Sequence, residues 1–207
     1  MKKYLVIGNP ITHSLSPELH NYWIKENGIN GIYDKEKLNE ENLKELFLKI
    51  KNKEINGANI TVPFKRDIIA YLDQLSLEAE KTQSVNTVYL KKDKITGHNT
   101  DIDGFELAIK DSNYNAEGKR VLILGAGGVV PSIIFALYKM KVLSITISNR
   151  TKSKAENLKS LFNDLEIVDW GEASNFDMVI NATSIGLNKE DKLNLDFSKF
   201  QSSEFFY

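Results

Sequence analysis

Val121-Leu122-Ile123-Leu124-Gly125-Ala126-Gly127-Gly128-Val129-Val130 is the stretch that decides the fold. Four consecutive apolar residues closed by a glycine read as a buried strand. The glycines then turn the chain tightly into a helix over 128–140. Gly125 permits the turn. Gly127 or Gly128 lets backbone N–H groups approach a pyrophosphate, which a helix N-terminus favours through its partial positive charge. Strand, glycine turn and helix in that order form the dinucleotide fingerprint. Its third glycine position holds Val130, larger than Gly or Ala, which predicts a slightly wider spacing of helix and strand. Glycines here would also suit a plain strand-to-helix turn, so the motif speaks of a dinucleotide and not of a reaction.

Downstream the alternation continues: strand Ser144–Ser148 (SITIS), helix 152–162, and strands near 165–168 and 177–181. Strands alternating with helices imply a parallel, doubly wound sheet of Rossmann type. An NAD site places Asp or Glu about 20 residues beyond the glycines, on the ribose 2′-hydroxyl. Here the sequence is Ser148-Asn149-Arg150-Thr151, with no carboxylate. Arg150 can take a 2′-phosphate through charge-assisted hydrogen bonds, Asn149 and Thr151 can add neutral ones, and Lys152 or Lys154 can add charge. The competing reading is a basic turn on a solvated surface. With the glycines, the segment favours NADP.

Upstream the grammar differs. Residues 3–8 read as a strand closed by Gly8, Asn9 and Pro10. Ser16, as N-cap with Pro17 in the first helical position, opens a helix to about Glu26, stopped by Gly28. A weak strand at 31–34 follows. Leu43, Leu46, Phe47 and Ile50 recur at helical spacing and predict an amphipathic helix over 40–52. Ile55–Thr61 reads as a strand and Pro63–Leu72 as a helix. Two short strands, 85–90 and 94–98, flank the turn Lys91-Lys92-Asp93 as a hairpin. The expected fold class is α/β: an N-terminal α/β substrate domain (1–101), a connecting helix and linker (102–118), and a Rossmann-type doubly wound nucleotide-binding domain (119–207).

Composition bounds the function. The 207 residues carry 27 Lys and Arg against 28 Asp and Glu, a formal net charge of −1 that argues against a general nucleic-acid binder. There is no cysteine, hence no disulfide, thiolate zinc site or cysteine nucleophile. No apolar run approaches the roughly 20 residues that span a bilayer, and MKKYLVIGNP is too short in its apolar part for a signal peptide. A soluble, cytoplasmic protein with no membrane partner is expected. His13, His20 and His98 share no metal-ligand spacing, so no metal is expected.

Three polar clusters stand out in the first half: Ser14-Leu15-Ser16-Pro17, Asn59-Ile60-Thr61-Val62-Pro63-Phe64-Lys65, and Asn86 with Asn99-Thr100-Asp101. Each has a plain reading as a cap, a solvated lysine or a turn. In combination they resemble the shikimate dehydrogenase family over essentially the whole chain. The blocks fall in order: S-L-S-P at 14–17, N-I-T-V-P-F-K at 59–65, S-V-N-T at 84–87, N-T-D-x-D-G at 99–104, G-A-G-G at 125–128, N-R-T at 149–151 and N-A-T-S-I-G at 181–186.

That resemblance implies NADPH-dependent reduction of 3-dehydroshikimate to shikimate, on the route to aromatic amino acids. It implies that Ser14, Ser16, Thr61, Asn86 and Asp101 hold the substrate's carboxylate and hydroxyls, and that Lys65, paired with Asp101, is the acid/base. It places the nucleotide on Gly125, Ala126, Gly127, Gly128, Val129 and Val130 and on Asn149, Arg150, Thr151 and Lys154. Asn181–Leu187, with Thr183, would line the nicotinamide side of a cleft between the domains. Alternatives are a quinate/shikimate dehydrogenase using NAD or NADP, another two-domain dehydrogenase such as a methylene-tetrahydrofolate enzyme, and a non-catalytic shikimate- and nucleotide-binding module. The missing acidic residue after SITIS disfavours the first, the S-L-S-P and N-I-T-V-P-F-K blocks the second, and the Lys65/Asp101 pair the third.

Ser203–Tyr207 (SEFFY) reads as the start of a fifth strand. Members of that family run on through a segment that supplies a substrate-binding Tyr and Gln and a helix packing on the first domain. The expectation is therefore a truncated product or fragment, binding shikimate weakly and turning over poorly.

Overall fold

The structure is a computed structural model that describes residues 1–172, 175–186, 190–193, 195, 196, 198 and 205–207. It divides into two compact units, Met1–Thr100 and Asp101–Tyr207.

The first unit is built on a six-stranded mixed sheet. β1 (Lys2–Gly8) lies between β2 (Gly31–Lys37) and β3 (Gly57–Ile60), both parallel to it. α1 (Ser16–Glu26) makes the crossover from β1 to β2 and ends in a Schellman motif, with Gly28 N–H on Lys25 O and Ile29 N–H on Ile24 O. α2 (Leu43–Lys51), led in by a 3₁₀ turn at Glu40–Asn42, buries Leu43, Leu46, Phe47 and Ile50, the four residues its spacing predicts. They join Ile7, Ile60, Phe64, Ile68 and Val88 in the main core of the unit.

β4 (Gln74–Leu75) and α3 (Leu77–Thr82) follow, then the hairpin β5 (Thr87–Lys91) and β6 (Lys94–His98). The hairpin turns on Lys92 and Asp93, both with positive φ, the twist a two-residue hairpin needs. β5 runs antiparallel to β3, and the sheet order is β2-β1-β3-β5-β6-β4.

Two expectations are corrected and one unforeseen element is added here. Ser16 is not the N-cap of α1. Leu15 occupies that position without a side-chain cap, and Ser14 Oγ accepts the Ser16 N–H at 3.3 Å instead. Second, Pro63–Leu72 forms turns and then a 3₁₀ helix at Asp67–Tyr71, not an α-helix, because burying Phe64 and Ile68 sets its course more than local propensity does. Third, α3 went unpredicted: six residues are too few for periodicity, although Ser76 caps it, its Oγ accepting the Ala79 N–H at 3.2 Å.

The second unit opens with α4 (Asp101–Asp111). It is more than a connector, since Ile102, Phe105 and Ile109 are buried against α5 (Val130–Lys139) in that unit's core. β7 (Arg120–Leu124), β8 (Ser144–Ser148), β9 (Glu166–Val168), β10 (Met178–Asn181) and β11 (Phe205–Phe206) form an all-parallel sheet in the order β11-β10-β7-β8-β9. Within this unit that is the Rossmann order 3-2-1-4-5. Alternation along β7 sends Val121 and Ile123 to one core and Leu122 and Leu124 to the other, so both faces are covered. α6 is shorter than expected (Lys152–Glu156) and passes into a 3₁₀ turn at Asn157–Ser160. Val130, in the enlarged fingerprint position, is fully buried in the core. Of the expected last strand, Ser203 and Glu204 lie outside the described residues, and Phe205–Phe206 pairs with β10.

Candidate active site

In the first unit the predicted residues gather at one end of the sheet, where β1 and β3 finish, β5 begins and β6 ends. Gly8 makes this end possible: a Cβ there would stand 2.5 Å from Thr61 Cγ2 and 2.9 Å from Val62 O. With only a hydrogen present, Thr61 N–H reaches Ile7 O at 2.9 Å and Asn9 N–H reaches Val62 O at 2.9 Å. Phe64, buried in the core, anchors the turn beyond, and Val85 N–H donates to Lys65 O at 2.8 Å. These contacts fix the backbone of Thr61 and Lys65 against the start of β5. Both side chains are half-buried.

Asn86 stands just before β5 and is held on every side. Its N–H donates to His98 O at 3.1 Å, and its carbonyl accepts Ile60 N–H at 2.8 Å. Its Oδ1 accepts Thr100 N–H at 2.9 Å and the Thr87 hydroxyl at 3.0 Å, while Nδ2 donates to Thr100 Oγ1 at 2.9 Å. Asn99 is fully buried; its Nδ2 donates to Thr82 Oγ1 (3.1 Å) and Ser84 O (2.9 Å), so its role is to hold the chain. Ser14 sits on the loop that leaves β1 and Ser16 is the first residue of α1, both half-buried. Asp101 is the first residue of α4 and belongs to the second unit.

In the second unit the site end lies at the carboxyl ends of β7, β8 and β10, where the strand order reverses. That is the place an open α/β sheet offers a ligand. Gly125 has φ +112°, and a Cβ there would meet Ala182 O at 2.8 Å and Thr183 Cγ2 at 3.2 Å. Gly125 N–H donates to Ser148 O and Ala182 N–H to Leu124 O, each at 2.8 Å, so the three loops are tied by backbone alone. Gly127 and Gly128 are exposed, and a Cβ on Gly128 would meet nothing within 4 Å. α5 starts behind them with no side-chain cap and no acidic residue in its first turn. Its positive end is thus offered to an anion.

Asn149 Nδ2 donates to Thr151 O at 2.7 Å and shapes the turn after β8. Arg150 and Lys154 are exposed and, among the described residues, carry no ion pair. Lys152, by contrast, is committed to Asp169 at 2.8 Å, which also raises its pKa. After β10, Asn181 organises its own loop. Its Oδ1 accepts Thr183 N–H (3.1 Å) and the Thr183 hydroxyl (2.6 Å), its Nδ2 donates to Ile185 O (3.0 Å), and Ile185 N–H donates to Thr183 Oγ1 (3.1 Å). Leu187, expected in this lining, lies outside the described residues.

Sequence reasoning passed over Tyr33, Asn59 and Thr87. Asn59 and Thr87 stand inside quoted blocks as polar residues in strand positions, a signal that could have found them. Tyr33 gave none.

The cradle at Gly125, the uncapped helix end and the unpaired Arg150 together fit a phosphorylated dinucleotide. A Rossmann unit so equipped, following a separate α/β unit rich in converging hydroxyl and amide groups, defines a nucleotide-dependent dehydrogenase. Comparison with known proteins narrows the class. Residues 6–88 match the shikimate dehydrogenase substrate binding domain, and 106–189 match shikimate / quinate 5-dehydrogenase. A shikimate dehydrogenase (NADP(+)) of Pelagibacter ubique is 54% identical over 206 residues, covering 100% of this chain and 78% of the relative. The Thermus thermophilus enzyme, solved in complex with NADP(H) and shikimate, superposes with TM-score 0.89 at 31% identity, covering 100% of this chain and 77% of that one. The Aquifex aeolicus enzyme gives 0.88 at 32%, with 100% and 86% covered. The chain belongs to the shikimate dehydrogenase family.

Proposed function

We propose that this chain interconverts 3-dehydroshikimate and shikimate with NADP, using Lys65 as acid/base. The observation that carries the reading is the gathering of Thr61, Lys65 and Asn86 at one end of the first sheet, on backbone that Gly8 and Asn86 lock in place. Hydroxyl, amide and ammonium groups are what a small polyhydroxylated carboxylate requires, and an apolar pocket would leave its hydroxyls unpaired. Ser14, on the loop after β1, and Ser16, at the start of α1, supply further hydroxyls, and Asp101 is the second acid–base group of the proposal.

Gly125–Val129 and Thr183 hold the dinucleotide in this reading, with Asn149, Arg150, Thr151 and Lys154 on its 2′-phosphate. When bound, NADPH supplies the hydride that reduces the ring ketone. The oxygen left behind needs a proton, which Lys65 gives from its ammonium while stabilising the developing charge. In the oxidative direction the neutral amine takes the proton from the hydroxyl. We place the reaction in the cytoplasm, where reduced nicotinamide is maintained; among the described residues no helix is long and apolar enough to cross a membrane.

The test is spectrophotometric: shikimate-dependent reduction of NADP, with quinate and NAD as parallel arms. Shikimate with NADP should be the preferred pair. Lys65→Ala should lower kcat by about 10²–10⁴ and leave the KM for NADP near wild type. Near-normal turnover in that variant would sink the Lys65 assignment. Calorimetric binding of shikimate without turnover would replace the enzyme reading with a binding module.

A further inference from the structure

Three polar side chains in strands of the first unit join end to end. Tyr33 in β2 is buried, and its hydroxyl donates to Asn59 Oδ1 at 2.6 Å. Burial pushes the phenol up from its ordinary pKa, so it remains a donor throughout the neutral range. The backbone of Tyr33 is clamped by Asn21, whose Nδ2 donates to Tyr33 O (2.7 Å) and whose Oδ1 accepts Tyr33 N–H (2.9 Å). Its ring stacks on His20 with centroids 4.2 Å apart.

With Oδ1 occupied, Asn59 turns its Nδ2 to β5, donating to Thr87 Oγ1 at 3.1 Å and to Asn86 O at 3.2 Å. A threonine hydroxyl has a single proton. Once its oxygen accepts from Asn59, that proton is directed onto Asn86 Oδ1, 3.0 Å away. Thr100 N–H donates to the same oxygen at 2.9 Å. The Thr87 hydroxyl on one side and Thr100 on the other, with its N–H at 2.9 Å and its hydroxyl at 3.2 Å, decide which way the Asn86 amide faces; Nδ2 gives one proton to Thr100 Oγ1 at 2.9 Å and presents the other as a donor.

We propose that Tyr33, Asn59 and Thr87 form a directed hydrogen-bond relay that sets the amide orientation of Asn86, with Thr87 as its positioning residue for substrate binding. The proposal rests on Asn86 being a substrate-binding residue. Without the relay the amide is held from the Thr100 side alone and turns over more readily, and a substrate hydroxyl oxygen that should meet a donor then meets a carbonyl instead.

Thr87→Val keeps the shape and the β-branch that a strand prefers but removes the proton. It should raise the KM for shikimate about tenfold while the KM for NADP stays within about twofold. Thr87→Ser should restore the shikimate KM, because it restores the hydroxyl. Tyr33→Phe should shift it in the same direction by less, since it removes only the first donor. Asn86→Ala and the melting temperatures complete the set. A wild-type shikimate KM in Thr87→Val beside a raised one in Asn86→Ala overturns the relay and leaves the Asn86 assignment standing. No change in either variant overturns the assignment, and the relay with it. Equal rises in both KM values with a lowered Tm, unrescued by Thr87→Ser, mark a packing defect and also overturn the relay.

Discussion

In the first unit, Asn86 Oδ1 is held by the Thr87 hydroxyl and the Thr100 N–H, so a side chain and a main-chain group from two separate stretches meet at one amide. In the second, Gly125 meets Ala182 and Ser148 through main-chain atoms alone. The contrast follows from what each is proposed to bind. A ring bearing several hydroxyls has to be matched group by group, which takes side chains of defined orientation. A pyrophosphate asks for backbone N–H groups and close approach, and there side chains are mainly an obstruction. The first region should therefore fail when polar atoms are deleted, and the second when atoms are added.

Gly125→Ala is the most severe way to try that difference. The added Cβ meets Ala182 O at 2.8 Å, in a backbone conformation of φ +112° that alanine rarely adopts. Overpacking and strain together should cost about 3 kcal/mol, lowering Tm by several degrees, and NADP should bind at least about tenfold more weakly. Gly128→Ala adds the same atom where nothing lies within 4 Å, and it should leave Tm almost unchanged. Thermal melts and NADP titrations of the two variants decide the matter. Equal Tm values would mean that the close approach to Ala182 carries no weight.

Arg150→Ala comes next and looks for an exception, a side chain that matters in the backbone-built region. An exposed guanidinium with no ion pair among the described residues is available for a 2′-phosphate, which NAD lacks. The KM for NADP should rise about 10- to 100-fold, with the KM for NAD nearly unchanged. Steady-state kinetics with both nucleotides check this, and an unaltered preference between them would remove Arg150 from the role.

How far each region could be read in the sequence follows the same division. Gly125, Gly127 and Gly128 are contiguous and sit between a strand and a helix, so their meaning is local and the chain spells it out. The apolar spacing of α2 is equally local and predicts its four buried residues. The network around Asn86 joins residues 33, 59, 87 and 100, which become neighbours only when β2, β3 and β5 are aligned. Register is a property of the folded sheet, and no spacing along the chain announces it. The same holds for Ser16: its residue type suggests a cap, but the loop from Gly8 lets Ser14 accept that N–H first.

The smallest effect is expected where the second unit does rely on side chains, far from its glycine turn. Arg120 at the start of β7 and Asp177 before β10 form a bidentate pair: Nε to Oδ2 at 3.1 Å and the terminal nitrogen to Oδ1 at 3.0 Å, with Arg120 N–H adding 2.8 Å to Oδ2. They stand at the amino ends of their strands, whereas the ligand end is carboxyl. The Arg120 guanidinium and its backbone N–H hold the Asp177 carboxyl down at about 2, below its ordinary 3.8. A carboxyl with a lowered folded-state pKa adds stability above the unfolded value and loses it as pH falls through the folded one. Asp177→Asn should therefore lower Tm by a few degrees at neutral pH, and the gap to wild type should close between pH 4 and pH 2. The KM for NADP should not move, because the pair takes no part in the turn. A Tm gap that persists undiminished at pH 2 would show that packing of the side chain, and not its charge, is what joins β7 to β10 at that end.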